Sequence, residues 1–160
     1  MLGHDYLHDG TINQTPSQLE LRSAAHLAPL MERHGLQPAD RALVRELILL
    51  TDPTRVAASH QKVASRRFST TDPDCLAVLV QEADILASSL PEPGMELTRC
   101  LAEEWERVDP PRARQVLTDA GRLGFLRFAA LFSSPASQRL GLNRLRQDQL
   151  AALDPAPLAA

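Results

Sequence analysis

Aromatic residues are scarce in this chain, at 4% of 160 residues, and β-branched residues are sparse among abundant Leu, Ala, Arg, Glu and Gln. Strands draw on aromatic and β-branched side chains, so this scarcity leaves an all-α fold as the expectation. The chain has only two cysteines, Cys75 and Cys100, whose spacing matches no zinc or redox motif and supplies no disulfide framework. A reducing cytoplasm is the expected compartment. An excess of either charge is missing too. Lys and Arg number 17 against 20 Asp and Glu, a formal charge of −3 without a polybasic patch, which excludes a general nucleic-acid-duplex binder held by phosphate neutralisation. Met1 to Tyr6 contain no charged and apolar export signal, and no window approaches the roughly 18 uncharged apolar residues of a membrane span. No Gly-rich phosphate loop, Ser-nucleophile motif or Cys-His pair occurs.

The chain does have 44% hydrophobic residues and a length that keeps a core without staples. The expectation is one helical domain over 1–153, with an aperiodic, frayed tail over 154–160 and no internal repeat or linker. Pro16 and Ser17 open a first helix carrying Ala24, Leu27, Ala28 and Met31 at helical spacing; Gly35 closes it, and Pro29 should kink or split it. Pro38 begins a second helix, which Asp52-Pro53 stops. A short basic helix lies within Arg55 to Arg67, and Thr71-Asp72-Pro73 starts a helix running to about Ser89. Pro91, Pro93 and Gly94 read as a turn before a helix from Met95 to about Val108. Asp109-Pro110-Pro111 then precedes a long apolar segment ending near Phe132, and Ser134-Pro135 starts a last helix with Leu142, Leu145 and Leu150 in its body.

Two features carry chemistry. The first is His4-Asp5-Tyr6-Leu7-His8-Asp9-Gly10-Thr11-Ile12-Asn13, which concentrates imidazole and carboxylate groups. An adjacent His-Asp pair offers a neutral nitrogen and a hard oxygen to one divalent cation, and its second carboxylate oxygen can bridge to another; the same dipeptide also occurs as a solvated pair. The second is Asp84, which helical spacing places on a stripe with Leu79, Val80, Ala83 and Ala87. A carboxylate on a buried stripe must be paired with Arg, hydrogen-bonded, protonated or metal-bound. His60, Lys62, Arg66 and Arg67 could meet a phosphate, or simply form a solvated basic face.

His4-Asp5, His8 with Gly10 and Asn13, Thr51-Asp52 at a helix end, and Glu82-Ala83-Asp84-Ile85-Leu86 together resemble the HD-domain metal-dependent phosphohydrolases, especially their class I cyclic-nucleotide phosphodiesterase-like branch. The resemblance spans about residues 4–135 and is most specific in the first decapeptide and around Asp84. It implies an HD/phosphodiesterase-like helical bundle using one or two divalent cations, with Mn, Fe, Zn and Mg all compatible with such ligands. It makes His4, Asp5 and Asp84 metal ligands, Asp5 the bridge, and His8 a contact to the attacking hydroxide or the substrate phosphate. It also makes Asn13 a substrate contact, and gives Glu20, Thr51 and Asp52 the role of ordering water around the metals. The reaction it implies is phosphoester hydrolysis by metal-activated hydroxide, on a small-molecule substrate with nucleotides among the candidates and no membrane partner. Glu20 also reads as an exposed carboxylate at a helix start, and Asp52 as a turn cap.

The sequence departs from the family in two ways. The family has an upstream helix with paired histidines that supply a metal ligand and the leaving-group acid, whereas only three residues precede His4, so Met1 reads as an internal start. Arg122-Leu123-Gly124-Phe125 resembles the segment where the family binds a purine through a glutamine and an aromatic, making Arg122 and Phe125 substrate-binding candidates. Arginine has donors but no acceptor and cannot reproduce an amide's pairing with a purine, although it could meet an anionic group. Phe125, Phe128 and Phe132 also fit a core stripe near i, i+3 and i+7. Two further readings are a phosphohydrolase of nucleoside triphosphates or guanosine alarmones, and a non-catalytic helical interaction or regulatory module.

Overall fold

The computed structural model describes residues 5–7 and 11–154. Among them every regular element is helical: α1 Gln18–Arg33, α2 Pro38–Leu49, α3 Pro53–Val63, α4 Pro73–Ser89, α5 Pro91–Trp105, α6 Pro110–Val116, α7 Asp119–Phe128, α8 Pro135–Arg139 and α9 Leu142–Leu153. The expected all-α class holds. Among the described residues, no helix is long and apolar enough to cross a membrane. The tail expected to fray lies outside the described residues from Pro155 onward.

Proline and capping chemistry set most of the boundaries. Pro38, Pro53, Pro91, Pro110 and Pro135 each stand at the start of a helix, where the missing N–H has no intrahelical partner to lose. The α1 C-terminus closes on Gly35 at φ 74°: the Gly35 amide donates to Glu32 O at 2.9 Å and the Leu36 amide to Met31 O at 3.0 Å. Those two bonds satisfy carbonyls that the helix end would otherwise leave open, and the left-handed residue between them suits glycine.

Four sequence expectations change. Pro29 lies inside α1 without splitting it in two, since the helix runs from Gln18 to Arg33. Both Pro29 and Ala25, whose carbonyl loses its amide donor, are exposed, so water can satisfy that carbonyl. We expect Pro29→Ala to stabilise the chain by about 2 kcal/mol, the restored helix bond outweighing the proline's restraint on the unfolded chain. Thermal unfolding followed by circular dichroism checks this, and an unchanged or lowered midpoint contradicts it. Pro91, Pro93 and Gly94 form the first turn of α5 rather than a preceding turn. The apolar segment before Phe132 is divided where Thr118 accepts from the Gly121 amide at 3.1 Å and starts α7, and the last helix is likewise divided at Gly141, with φ 69°.

The chain forms two compact units, Met1–Asp84 and Ile85–Ala160, with the division inside α4. In the first, α1 packs on α2, and Val63, Cys75 and Val78 form a buried cluster covered by Phe68. In the second, Leu126, Ala130, Phe132 and Leu142 form the core, joined by Ile85, Leu86, Leu90, Phe125, Leu150 and Leu153. Phe128, expected on the same stripe as Phe125 and Phe132, is 75% exposed; α7 ends there, so Phe132 reaches the core from the following loop.

Candidate functional site

Residues 11–20 approach α1 along a path fixed by side-chain hydrogen bonds. Asn13 donates through Nδ2 to Glu20 Oε2 at 2.9 Å, and its Oδ1 accepts from the Leu19 amide at 2.7 Å. Next in line, Ser17 precedes α1 in the left-handed region at φ 55°. A conformation that L residues rarely adopt requires support, and Asp52 provides it. Asp52 Oδ2 accepts from the Ser17 amide at 2.7 Å and the Ser17 hydroxyl at 2.8 Å, while Oδ1 accepts from the Thr54 amide at 2.9 Å and the Thr54 hydroxyl at 2.8 Å. One carboxylate therefore caps α3 and fastens the start of α1 to the α2–α3 junction.

Burial pushes the Asp52 carboxyl up, but the hydrogen bonds from Thr54 and Ser17 together outweigh it and hold the group below the usual carboxylate range. Thr51 beside it is buried, with its hydroxyl donating to Ile48 O at 2.7 Å. Asn13 with Glu20, and Asp52 with Ser17, thus form two separate hydrogen-bonded sets at the start of α1, both in the Met1–Asp84 unit.

The two acids expected to hold metal are placed as follows. Asp5 is exposed, in a turn that continues through Leu7. Asp84 is half-buried, and the stripe assigned to it is corrected. Ala83 and Ala87 are exposed, whereas Cys75, Ala77, Val78, Gln81 and Glu82 are buried. The inward acid of α4 is Glu82, 4% exposed. Gln81 turns inward because its Nε2 has acceptors there, the Leu50 carbonyl and Ser59 Oγ, and hydrogen-bonded polar groups tolerate burial. His4 and His8, the imidazoles of the expected site, lie outside the described residues. Among the described residues, no three His, Cys, Asp or Glu side chains gather closely enough to hold a metal ion. Two hard carboxylates and an imidazole remain a donor set suited to a divalent cation.

Sequence reasoning missed a buried titratable pair. His60, weighed as part of a basic face, is 6% exposed; burial holds its imidazole below its ordinary value, with the charge of Glu82 pulling the other way. Two other members of that basic stretch are engaged with acids: Arg66 pairs with Asp74 at 2.7 Å and Asp72 at 3.4 Å, and Lys62 with Asp74 at 3.4 Å. The spacing of His60 from Val56 and Val63, both buried, was the available signal.

Arg122 and Phe125 belong to the Ile85–Ala160 unit. The Arg122 guanidinium lies 5.4 Å from the Phe125 ring centroid. It donates to Ser88 O at 2.6 Å, Leu90 O at 3.2 Å, Ser89 O at 3.4 Å and Gln149 Oε1 at 2.6 Å. Burial pulls its pKa down, while the carbonyls at the C-terminal end of α4 present the negative end of the helix dipole. A cavity of about 410 Å³ beside it is lined by Met95, Val116, Leu117, Gln149 and Leu153 among others. No family model, curated protein or solved structure matches this chain.

Proposed function

We propose that the chain is a metal-dependent phosphohydrolase domain of the HD type, with His4, Asp5 and Asp84 as its metal ligands and His8 at the reacting phosphate. The observation that supports this reading is that three of the residues to which the resemblance gives roles are held by hydrogen bonds at or beside the start of α1, Asn13 with Glu20 and Asp52 with Ser17. A bound divalent cation would supply hydroxide near neutral pH and neutralise charge on phosphoryl oxygens. The chain's own residues hold and orient: Asp5 and Asp84 offer oxygens, and Asn13 and Glu20 fix the approach to α1. The substrate is a phosphoester, with nucleotides among the candidates. Arg122 binds no purine amide edge in this reading, since its donors meet the α4 carbonyls and Gln149.

Elemental analysis and calorimetric titration of the purified chain with Mn²⁺ test the proposal. Stoichiometric binding by the wild type and its loss in Asp84→Asn are expected, together with hydrolysis in a phosphoester panel that the same substitution abolishes. Because Asp84 is half-buried, that variant should remain folded. Absence of bound metal, or an Asp84→Asn chain that binds it equally well, refutes the reading. A helical interaction module is the second reading, favoured by the exposure of Phe128, Leu140 and Met95 at 75%, 68% and 65%; it predicts no metal and unchanged stability in Asp84→Ala.

A further inference from the structure

The turn that carries Asp5 is tied to α1 at its next two residues. The Leu7 amide donates to Ser23 Oγ at 3.3 Å. The Tyr6 ring stacks on the His26 imidazole, with centroids 5.0 Å apart and planes inclined by 25°. Ser23 and His26 are three residues apart and therefore neighbours on the helix surface. Ser23 is 1% exposed, so its hydroxyl is held in place by packing. Serine is an indifferent helix former in a helix interior, but here its oxygen provides an acceptor for a backbone amide from outside the helix.

The start of α1 is fixed in its turn by Asp52 through Ser17 and by Asn13 through the Leu19 amide. A continuous set of contacts therefore runs from the α2–α3 junction through α1 to the residue following Asp5. Metal ligands need placement within about 0.5 Å, and a turn outside the helices keeps that precision only when contacts beyond it hold it. Two anchors of different chemistry, one to the backbone and one to an aromatic ring, restrict both the position and the rotation of the turn.

From this geometry we infer that Ser23 and His26 are positioning residues that hold the Asp5 turn in its metal-binding arrangement. The inference rests on the metal-dependent reading above. Neither residue is a ligand, and neither is required for the helix to form.

The test uses the full chain and Mn²⁺ alone as probe, comparing wild type, Ser23→Ala/His26→Ala and His26→Phe. The double variant is expected to bind Mn²⁺ about 10-fold or more weakly, as observed when groups that orient metal ligands are removed, with its thermal midpoint close to that of the wild type. His26→Phe keeps an aromatic face for Tyr6 and should retain most of the wild-type affinity. Hydrogen exchange at the Leu7 amide in the metal-free chain should quicken in the double variant. Wild-type Mn²⁺ binding that the double variant reproduces overturns this inference alone, as does unchanged Leu7 exchange. If the double variant loses affinity only in proportion to a general loss of folding, the positioning role is overturned too. Failure of the wild type to bind Mn²⁺ overturns the metal reading and this inference with it, whatever the Leu7 amide does.

Discussion

Asp52→Ala is expected to destabilise the chain by about 3–5 kcal/mol, a large share of a typical domain's stability. The carboxylate is 1% exposed and accepts four hydrogen bonds, two on each oxygen. Hydrogen bonds to a charged acceptor contribute more than neutral ones. Their removal leaves the buried Ser17 amide without its acceptor and leaves a left-handed serine at φ 55° unsupported. Asp52→Asn separates charge from shape. An amide has one acceptor oxygen, so its NH₂ group must face either the Ser17 amide or the Thr54 amide, and two donors then oppose each other. We expect Asn to cost about 2–4 kcal/mol. Urea unfolding of the three chains checks these values, and a loss below about 1 kcal/mol for Ala would show that these hydrogen bonds contribute little.

The same group has a defined pH dependence. Its folded pKa lies below the ordinary carboxylate value, so folding favours the deprotonated form. The resulting stabilisation is fully present above the unfolded pKa, near 4, and is lost as pH falls through the lower folded pKa. The stability gap between wild type and Asp52→Asn should therefore be constant from pH 7 to about pH 5 and narrow below about pH 4. A gap that widens on acidification would contradict the assignment.

The helix starts at Pro38, Pro73 and Pro135 were legible because proline restricts both itself and the residue before it, and no tertiary contact is needed to enforce that; Pro53 was read only as the stop of α2, although it also begins α3. Pro91-Glu92-Pro93-Gly94 was misread because residues that favour turns also suit a helix's first turn. The phase of α4 was misread for a different reason. Leu76, Leu79, Val80, Ile85 and Leu86 surround much of that helix with apolar side chains, so the burial of Gln81 and Glu82 depends on partners from elsewhere, Leu50 and Ser59 for Gln81. At the candidate site, the local pairing of Asn13 with Glu20 lies within one sequence segment. The Ser17–Asp52 contact closes a gap of 35 residues, and no local pattern announces it. A local capping role for Asp52 was visible as a turn cap, which the structure makes the N-cap of α3, whereas its second use, at the start of α1, was not.

Gly94→Ala is the other substitution with a large expected effect, about 3 kcal/mol or more. A Cβ at this position would stand 2.2 Å from Ser88 O and 2.9 Å from Arg122 Nη1. The first neighbour is backbone, at the end of α4, and cannot yield cheaply. The second is a guanidinium already committed to Ser88, Leu90 and Gln149, so moving it breaks bonds that close the α4 C-terminus. Helix propensity alone would favour alanine over glycine in the first turn of α5 by at most about 1 kcal/mol, which gives the prediction its sign: the close approach must outweigh that gain. Arg122→Met, which keeps most of the stem and removes the donors, should cost about 2–4 kcal/mol by leaving the carbonyls and Gln149 Oε1 without their charged partner. The two substitutions act on one contact, so the double variant should lose less than the sum of the singles, because removing the guanidinium removes two of the three atoms nearest the new methyl. Urea unfolding of the four chains measures that coupling. Additive losses would mean that Gly94 accommodates the α4 backbone alone and that Arg122 stabilises the unit independently of it.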